Sequence, residues 1–243
     1  MNTEEYFKMY QLETTHWWFL AKQKFITTVF PKVNRPKILD IGAGTGGITR
    51  FLQQYGEVMG LEANETAINF ARTRKLKIIK GSADKLPFKN NSFDLACFFD
   101  VLYHQQINDV QALREAYRIL KPGGYLIVTD CAFEFLRGPH DKAVKARERY
   151  TKSELVAKIE KAGFSVKKAS YIFWLVFPLT VIKRLIDQYQ AKFTNKKVFS
   201  DVEAVPTIIN NLLLVICNFE AKLLSYVNFP WGSSIIIKAK KVI

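Results

Sequence analysis

The stretch Ile38-Leu39-Asp40-Ile41, then Gly42-Ala43-Gly44-Thr45-Gly46-Gly47, then Ile48-Thr49-Arg50-Phe51-Leu52 constrains this chain more than any other. A β-favouring apolar run enters a glycine-rich turn and leaves it as a helix-permissive segment, which predicts strand, tight loop and helix N-terminus. The turn needs glycine because some positions require φ > 0 and because a side chain would hold a ligand off the backbone. Exposed N–H groups and the positive end of the helix dipole then favour an electron-rich ligand. A second strand-like run, Glu57-Val58-Met59-Gly60-Leu61, ends at Glu62. In a doubly wound sheet an acid at that tip faces the ribose hydroxyls of a bound nucleoside.

The glycine spacing alone admits two readings. Gly42, Gly44 and Gly47 satisfy the dinucleotide fingerprint of nicotinamide and flavin enzymes. Gly42, Gly44 and Gly46, with Asp40 just before them, form a different pattern, and with the segments that follow the chain resembles the class I S-adenosylmethionine-dependent methyltransferases of the type 11 group. Gly81-Ser82-Ala83-Asp84-Lys85-Leu86-Pro87-Phe88 is similar to that family's adenine-contacting segment. Ser92-Phe93-Asp94-Leu95-Ala96 resembles its fourth strand, and Asp100-Val101-Leu102-Tyr103-His104 the stretch after it. Leu113 to Gly124 resembles the helix and turn before its fifth strand.

The resemblance implies a seven-stranded, mostly parallel α/β sheet with an antiparallel last strand, and S-adenosyl-L-methionine as cofactor, released as S-adenosyl-L-homocysteine. The implied cofactor residues are Asp40, Gly42, Ala43, Gly44, Gly46, Glu62, Ala63, Ala83, Asp84, Asp100 and Val101. Asp84 is expected to accept from the adenine amino group, with the Ala83 N–H beside it; for any one of these aspartates a turn or helix cap is the alternative.

The strand–helix alternation from Lys37 onward independently predicts a parallel sheet covered on both faces. Strands are expected near 37–41, 57–61, 77–80, 94–99 and 124–130, then over Phe164–Phe173 and Ser233–Lys240. Helices are expected near 47–55, 64–73, 108–119 and 151–162. Residues 1–36 read as a helical cap, with Glu4 to Phe30 helix-permissive and rich in aromatics. Residues 37–173 and 233–243 read as the sheet core. The connection 174–232 holds two apolar, helix-like segments, Trp174–Phe193 and Thr207–Val227, and long connections are usually functional.

The acceptor side is less constrained. His16-Trp17-Trp18-Phe19 either packs a helix on the sheet or roofs the pocket, and it resembles a His-Trp-Trp-Phe segment of the type 11 group. Where the family carries arginines after it, this chain has Leu20, Lys22 and Gln23, so Lys22 alone keeps a cation there. The loop Gly138-Pro139-His140-Asp141-Lys142 is placed to enclose the acceptor, and Arg147-Glu148-Arg149-Tyr150 resembles a basic-aromatic motif of the family. Trp17, Trp18, Lys22, Tyr103, His140, Arg147, Arg149 and Tyr150 are therefore the expected acceptor residues. Methyl transfer from a sulfonium has an activated leaving group, so a base is needed only if the acceptor must lose a proton. His16, Tyr103, His104 and His140 are the candidates, and no metal-ligand cluster is visible.

Thirty-six lysines and arginines against 22 acids give a net charge of +14, which suits an anionic membrane face, nucleic acid or an acidic substrate. No recognisable RNA-binding module is present, and Phe99-Asp100-Val101-Leu102 stands where base-modifying enzymes carry an Asn/Asp-Pro-Pro-aromatic run. Three scattered cysteines in apolar runs, Cys97, Cys131 and Cys217, read as buried thiols in a reducing compartment. The acidic, polar start carries no secretory signal, and no uninterrupted apolar run reaches the length of a membrane span. The expectation is a cytoplasmic enzyme with a small-molecule acceptor of lipid, isoprenoid or lipid-linked glycan type, peripheral to the inner membrane face. An RNA or protein methyltransferase and a non-catalytic cofactor-binding scaffold stay open, as does a homodimer through 174–232.

Overall fold

Seven strands form one sheet in the order β3-β2-β1-β4-β5-β7-β6. The computed structural model describes residues 3–191 and 203–242. The strands are β1 (Lys37–Ile41), β2 (Glu57–Glu62), β3 (Ile78–Lys80), β4 (Phe93–Phe99), β5 (Leu120–Cys131), β6 (Phe164–Ile172) and β7 (Ser234–Lys241). The first four pair in parallel with one another and with β5, and β7 inserts antiparallel between β5 and β6. The expected class and the antiparallel last strand are both present. β5 starts four residues earlier than expected, running through Pro122-Gly123-Gly124.

Strand residues alternate between two cores because successive side chains leave opposite faces. Leu39, Ile41 and Phe98 face one side, under Leu113 and Ala116 of α5 (Asp109–Ile119) and Ile159 of α7 (Lys152–Lys161). Ile38, Leu95 and Cys97 face the other. There they meet Phe25 and Ile26 of α2 (Trp17–Val29) and Cys217 and Leu224 of α9 (Thr207–Leu224). Both faces being covered, β1 is buried without a polar alternation. The helices start where local caps allow: Asn64 accepts from Thr66 and Ala67 N–H before α4 (Glu65–Thr73), and Thr151 with Glu154 forms a capping box at α7.

The N-terminal arm is not one helix. α1 (Thr3–Leu12) stops before Glu13, and α2 begins after His16, whose ring nitrogen Nδ1 accepts the Trp18 N–H at 3.3 Å. Burial lowers the His16 pKa, so the ring stays neutral and serves as this cap. The remaining short elements are α3 (Gly47–Leu52), a 3₁₀ turn (Glu134–Leu136) and α6 (Pro139–Ala143). The connection to β7 carries α8 (Phe177–Ala191) and α9. α9 is long and apolar enough to cross a membrane by length and composition, though Asn210, Asn211, Asn218, Glu220 and Lys222 interrupt it, as the expectation of no uninterrupted span-length run has it. The three cysteines are unpaired, two of them buried.

Candidate active site

The glycine loop lies at the carboxyl end of β1, where open α/β sheets bind ligands. Gly42, Gly44 and Gly46 have φ of +77°, +55° and +89°. A Cβ at Gly42 would lie 2.5 Å from Val101 Cγ2, so the loop after β4 presses on this turn. Asp40 is buried beneath it and accepts from Thr49 Oγ1 at 2.6 Å. Burial, with Glu62 and Glu13 nearby, raises its pKa to about 7, against the pull of the Thr49 bond.

Glu62 ends β2 and holds the turn. Its Oε2 accepts the Gly44 N–H at 2.9 Å, and Oε1 accepts Ala63 and Asn64 N–H, each at 2.9 Å. A carboxylate offers roughly four lone-pair directions, so capacity remains for ribose hydroxyls. Glu13, which the sequence reading passed over, clamps the same loop from the turn after α1. It accepts from Thr45 Oγ1 (2.6 Å) and Gly47 N (3.0 Å) and pairs with Arg74 Nη2 (2.7 Å). No local pattern marks it; the contact depends on how α1 folds back over the loop.

These groups open into one cavity of about 820 Å³. Asp40, Gly42, Ala43, Gly44, Glu62, Ala63, Ala83, Asp100 and Val101 line it, and so do Trp17, Trp18, Lys22, Tyr103, His104 and Arg149. Four expected residues stand apart from its wall, Gly46 among them. Asp84 turns its carboxylate to the Asn108 N–H at 3.2 Å, the capping role weighed as its alternative. Arg147 bonds Asp109 (3.0 Å) and the Ile107 carbonyl (2.7 Å). The Tyr150 hydroxyl is 2.9 Å from Asp109 Oδ2 and 3.0 Å from the Leu102 carbonyl. Both brace the 102–107 loop from behind. Gly46 is at the α3 N-cap, where its positive φ is needed. His140 lies on α6, and its side chain is outside the described residues; so are Lys192, Lys196 and Lys197, cations of the 174–232 connection.

The acceptor half has a charged centre in an apolar wall. Lys22 is almost fully buried, forms an ion pair with Asp100, and sits 3.6 Å from the Trp18 ring centroid. Asp130 lies fully buried nearby; burial and the Asp100 charge raise its pKa well above the carboxylate range. Trp17 and Trp18 both pack on Phe173, with centroids 5.9 and 6.1 Å away, so they pack the helix and also wall the cavity. His104 Nδ1 lies 2.9 Å from the Val144 carbonyl, so it carries the proton, and in the neutral ring any proton taken up goes to Nε2. Burial raises the Tyr103 pKa, keeping the phenol neutral. Arg149 is committed to Asp141 through two bonds of 2.8 and 3.1 Å. No cluster fit to hold a metal occurs among the described residues.

A glycine loop pressed on the β4 loop, an acid at the β2 tip and a seven-stranded sheet with β7 reversed define the class I S-adenosylmethionine-dependent methyltransferases. Residues 39–128 match the type 11 model, described as "Methyltransferase domain", and the chain carries that family's domain, whose cofactor is S-adenosylmethionine. The dinucleotide reading of the glycines gives way to this match. An uncharacterized methyltransferase of Schizosaccharomyces pombe is 39% identical over 106 residues, 37% of this chain and 38% of that protein. A ubiquinone/menaquinone biosynthesis C-methyltransferase of Roseobacter denitrificans is 32% identical over 144 residues, 54% of this chain and 55% of that one. The chain spans about half the length of the curated relatives it matches. An S-adenosylmethionine-dependent methyltransferase structure from Thermotoga maritima superposes with a TM-score of 0.64 at 25% identity, covering 98% of this chain and 95% of that one.

Proposed function

We propose that this chain transfers the methyl group of S-adenosylmethionine to a small, largely apolar acceptor of lipid or isoprenoid type, in the cytoplasm at the inner membrane face. The observation that carries the reading is the continuity of the cavity. It runs from the glycine loop and Glu62 past Lys22 and Asp100 to Trp17, Val176, Leu179 and Leu213. A cofactor at the glycine end leaves an apolar chamber for the acceptor. Curated relatives named for ubiquinone/menaquinone biosynthesis support the same class, since those products are prenylated rings.

The cofactor's sulfonium supplies an electrophilic methyl with an activated leaving group. The protein's part is then alignment and removal of water. In this reading Glu62 and the Gly42–Gly44 backbone orient the nucleoside end. The Lys22–Asp100 ion pair receives the polar end of the acceptor. His104 Nε2 takes the proton from an acceptor oxygen, nitrogen or activated carbon, with Nδ1 fixed on Val144. Arg149 completes the enclosure. The experiment is a methyl-transfer screen with labelled S-adenosylmethionine against lipid, aqueous, RNA and protein fractions. Label in the lipid fraction is the expected result. Label in RNA or protein alone overturns the acceptor class, and bound cofactor with no transfer anywhere means a scaffold.

A further inference from the structure

We infer that α8 and α9 form a docking surface for an anionic lipid bilayer; the inference deepens the apolar-acceptor reading above by saying how such an acceptor reaches the cavity. Both helices are arranged inside out for a water-exposed element. On α9, Asn210 and Glu220 turn into the protein, while Thr207, Asn211 and Lys222 stay exposed. Asn210 accepts the Trp17 N–H at 2.7 Å and donates to the Thr15 carbonyl at 3.2 Å. Glu220 is fully buried and accepts Trp174 and Leu175 N–H at 2.8 and 3.1 Å. The outward stripe is Ile208, Leu212, Val215 and Phe219, spaced by four, three and four residues, with Ile208 84% exposed. On α8 the Arg184 side chain is buried and Gln188 donates to the Phe135 and Arg137 carbonyls at 3.1 and 3.0 Å. Leu179, Ile182, Leu185 and Ile186 face outward. A surface helix in water shows the opposite pattern, and contiguous apolar patches of this kind mark interaction sites.

Charge selects the occupant. Among the exposed residues of the two helices no acid occurs; Lys222 is exposed there, and the exposed Lys183 pairs with the half-buried Asp187 at 2.8 Å. A second copy carries the same net charge of +14 over its whole chain and is repelled as a body, whereas an anionic leaflet attracts it. The helices lie on the bilayer and do not cross it. Thr28 Oγ1 donates to the Ala221 carbonyl at 3.0 Å, and Cys217, Ala221 and Leu224 are buried against the core. Insertion of α9 would strip those contacts and leave Asn210 and Glu220 in hydrocarbon. The placement also has a consequence for the cavity. Leu179 both lines it and is exposed, and Leu213 on its wall adjoins the outward Leu212. The cavity wall therefore reaches the docking face at Leu179, and in this reading an acceptor dissolved in the leaflet enters there without passing through water.

The test is co-sedimentation with vesicles of mixed phosphatidylglycerol and phosphatidylcholine, and with phosphatidylcholine alone. The wild-type protein is expected to pellet with the anionic vesicles at low salt and progressively less as salt rises. Leu212→Glu with Phe219→Glu, and separately Ile182→Glu with Ile186→Glu, should each lower vesicle affinity about tenfold or more. Unchanged S-adenosyl-L-homocysteine affinity shows that each variant is folded, and serine replaces glutamate at any position where it is not. A protein that stays in the supernatant with anionic vesicles overturns the inference. So does a dimer broken by the same substitutions without vesicle binding. Vesicle binding is scored without cofactor or acceptor, and transfer is scored on detergent-dispersed acceptors. Failure of the docking surface is thus separate from failure of the acceptor reading.

Discussion

The Glu13 carboxylate accepts the Gly47 N–H at 3.0 Å and so ties the N-terminal arm to the first turn of α3. The fit leaves no room: a Cβ at Gly47 would lie 2.2 Å from Glu13 Oε2. The carboxylate also faces the buried Arg74. Glu13→Ala would leave that guanidinium unpaired and is expected to cost on the order of 3 kcal/mol of stability. It should also weaken S-adenosyl-L-homocysteine binding, because the glycine loop loses its clamp. Denaturant unfolding and calorimetry measure the two effects; an unchanged midpoint would remove the clamp from the account.

Glu62 carries three backbone bonds of its own loop as well as the site expected for the ribose. Glu62→Ala should lower cofactor affinity at least about tenfold, from the loss of charge-assisted bonds. Glu62→Gln keeps one acceptor oxygen and should fall between the two. Titration calorimetry separates the three proteins, and equal affinities would place the nucleoside elsewhere.

Asp40 predicts a pH effect with a defined sign. Its folded pKa of about 7 lies above the unfolded carboxylate value near 3.9. The folded state therefore holds the proton more tightly. This contribution is fully present below about pH 4 and is lost as pH rises towards 7. Relative to Asp40→Asn, the wild-type protein should lose stability across that window, by on the order of 1 kcal/mol for each pK unit of separation. Thermal melts of both proteins from pH 4 to 8 measure it, and parallel curves would refute the raised pKa.

Lys22 neutralises Asp100 beside the buried Asp130. Lys22→Met should reduce turnover at saturating cofactor by about tenfold or more, since an unpaired carboxylate is left at the centre of the acceptor chamber. Lys22→Arg restores the charge but not the seat over Trp18, and should recover only part of the rate. Steady-state kinetics against the acceptor provide the check. A pure KM effect would make the pair a binding device and not an aligning one.

Much of this architecture was legible before folding because its signals are local. Glycine spacing after an apolar run marks the β1–α3 turn, and an acid closing the next strand marks Glu62. Alternating strand and helix periods mark the parallel sheet; Ser233–Lys240 marks a last strand, whose reversal only the family resemblance implies. What the tertiary structure decided is which polar groups meet. Glu13 reaches Gly47 across 34 residues, and Lys22 reaches Asp100 across 78. Neither partner is specified by its neighbours in sequence. Asp84, Arg147 and Tyr150 carry motif-like positions, yet their hydrogen bonds go to Asn108, Asp109 and Leu102, because loops packed behind the cavity offer closer partners. The same holds for α9. Its sequence reads as an apolar helix with a few polar interruptions, and nothing local says which side faces in. The backbone N–H groups of Trp174 and Leu175 do: they need an acceptor where water is excluded, so Glu220 turns inward and the apolar stripe is left outside.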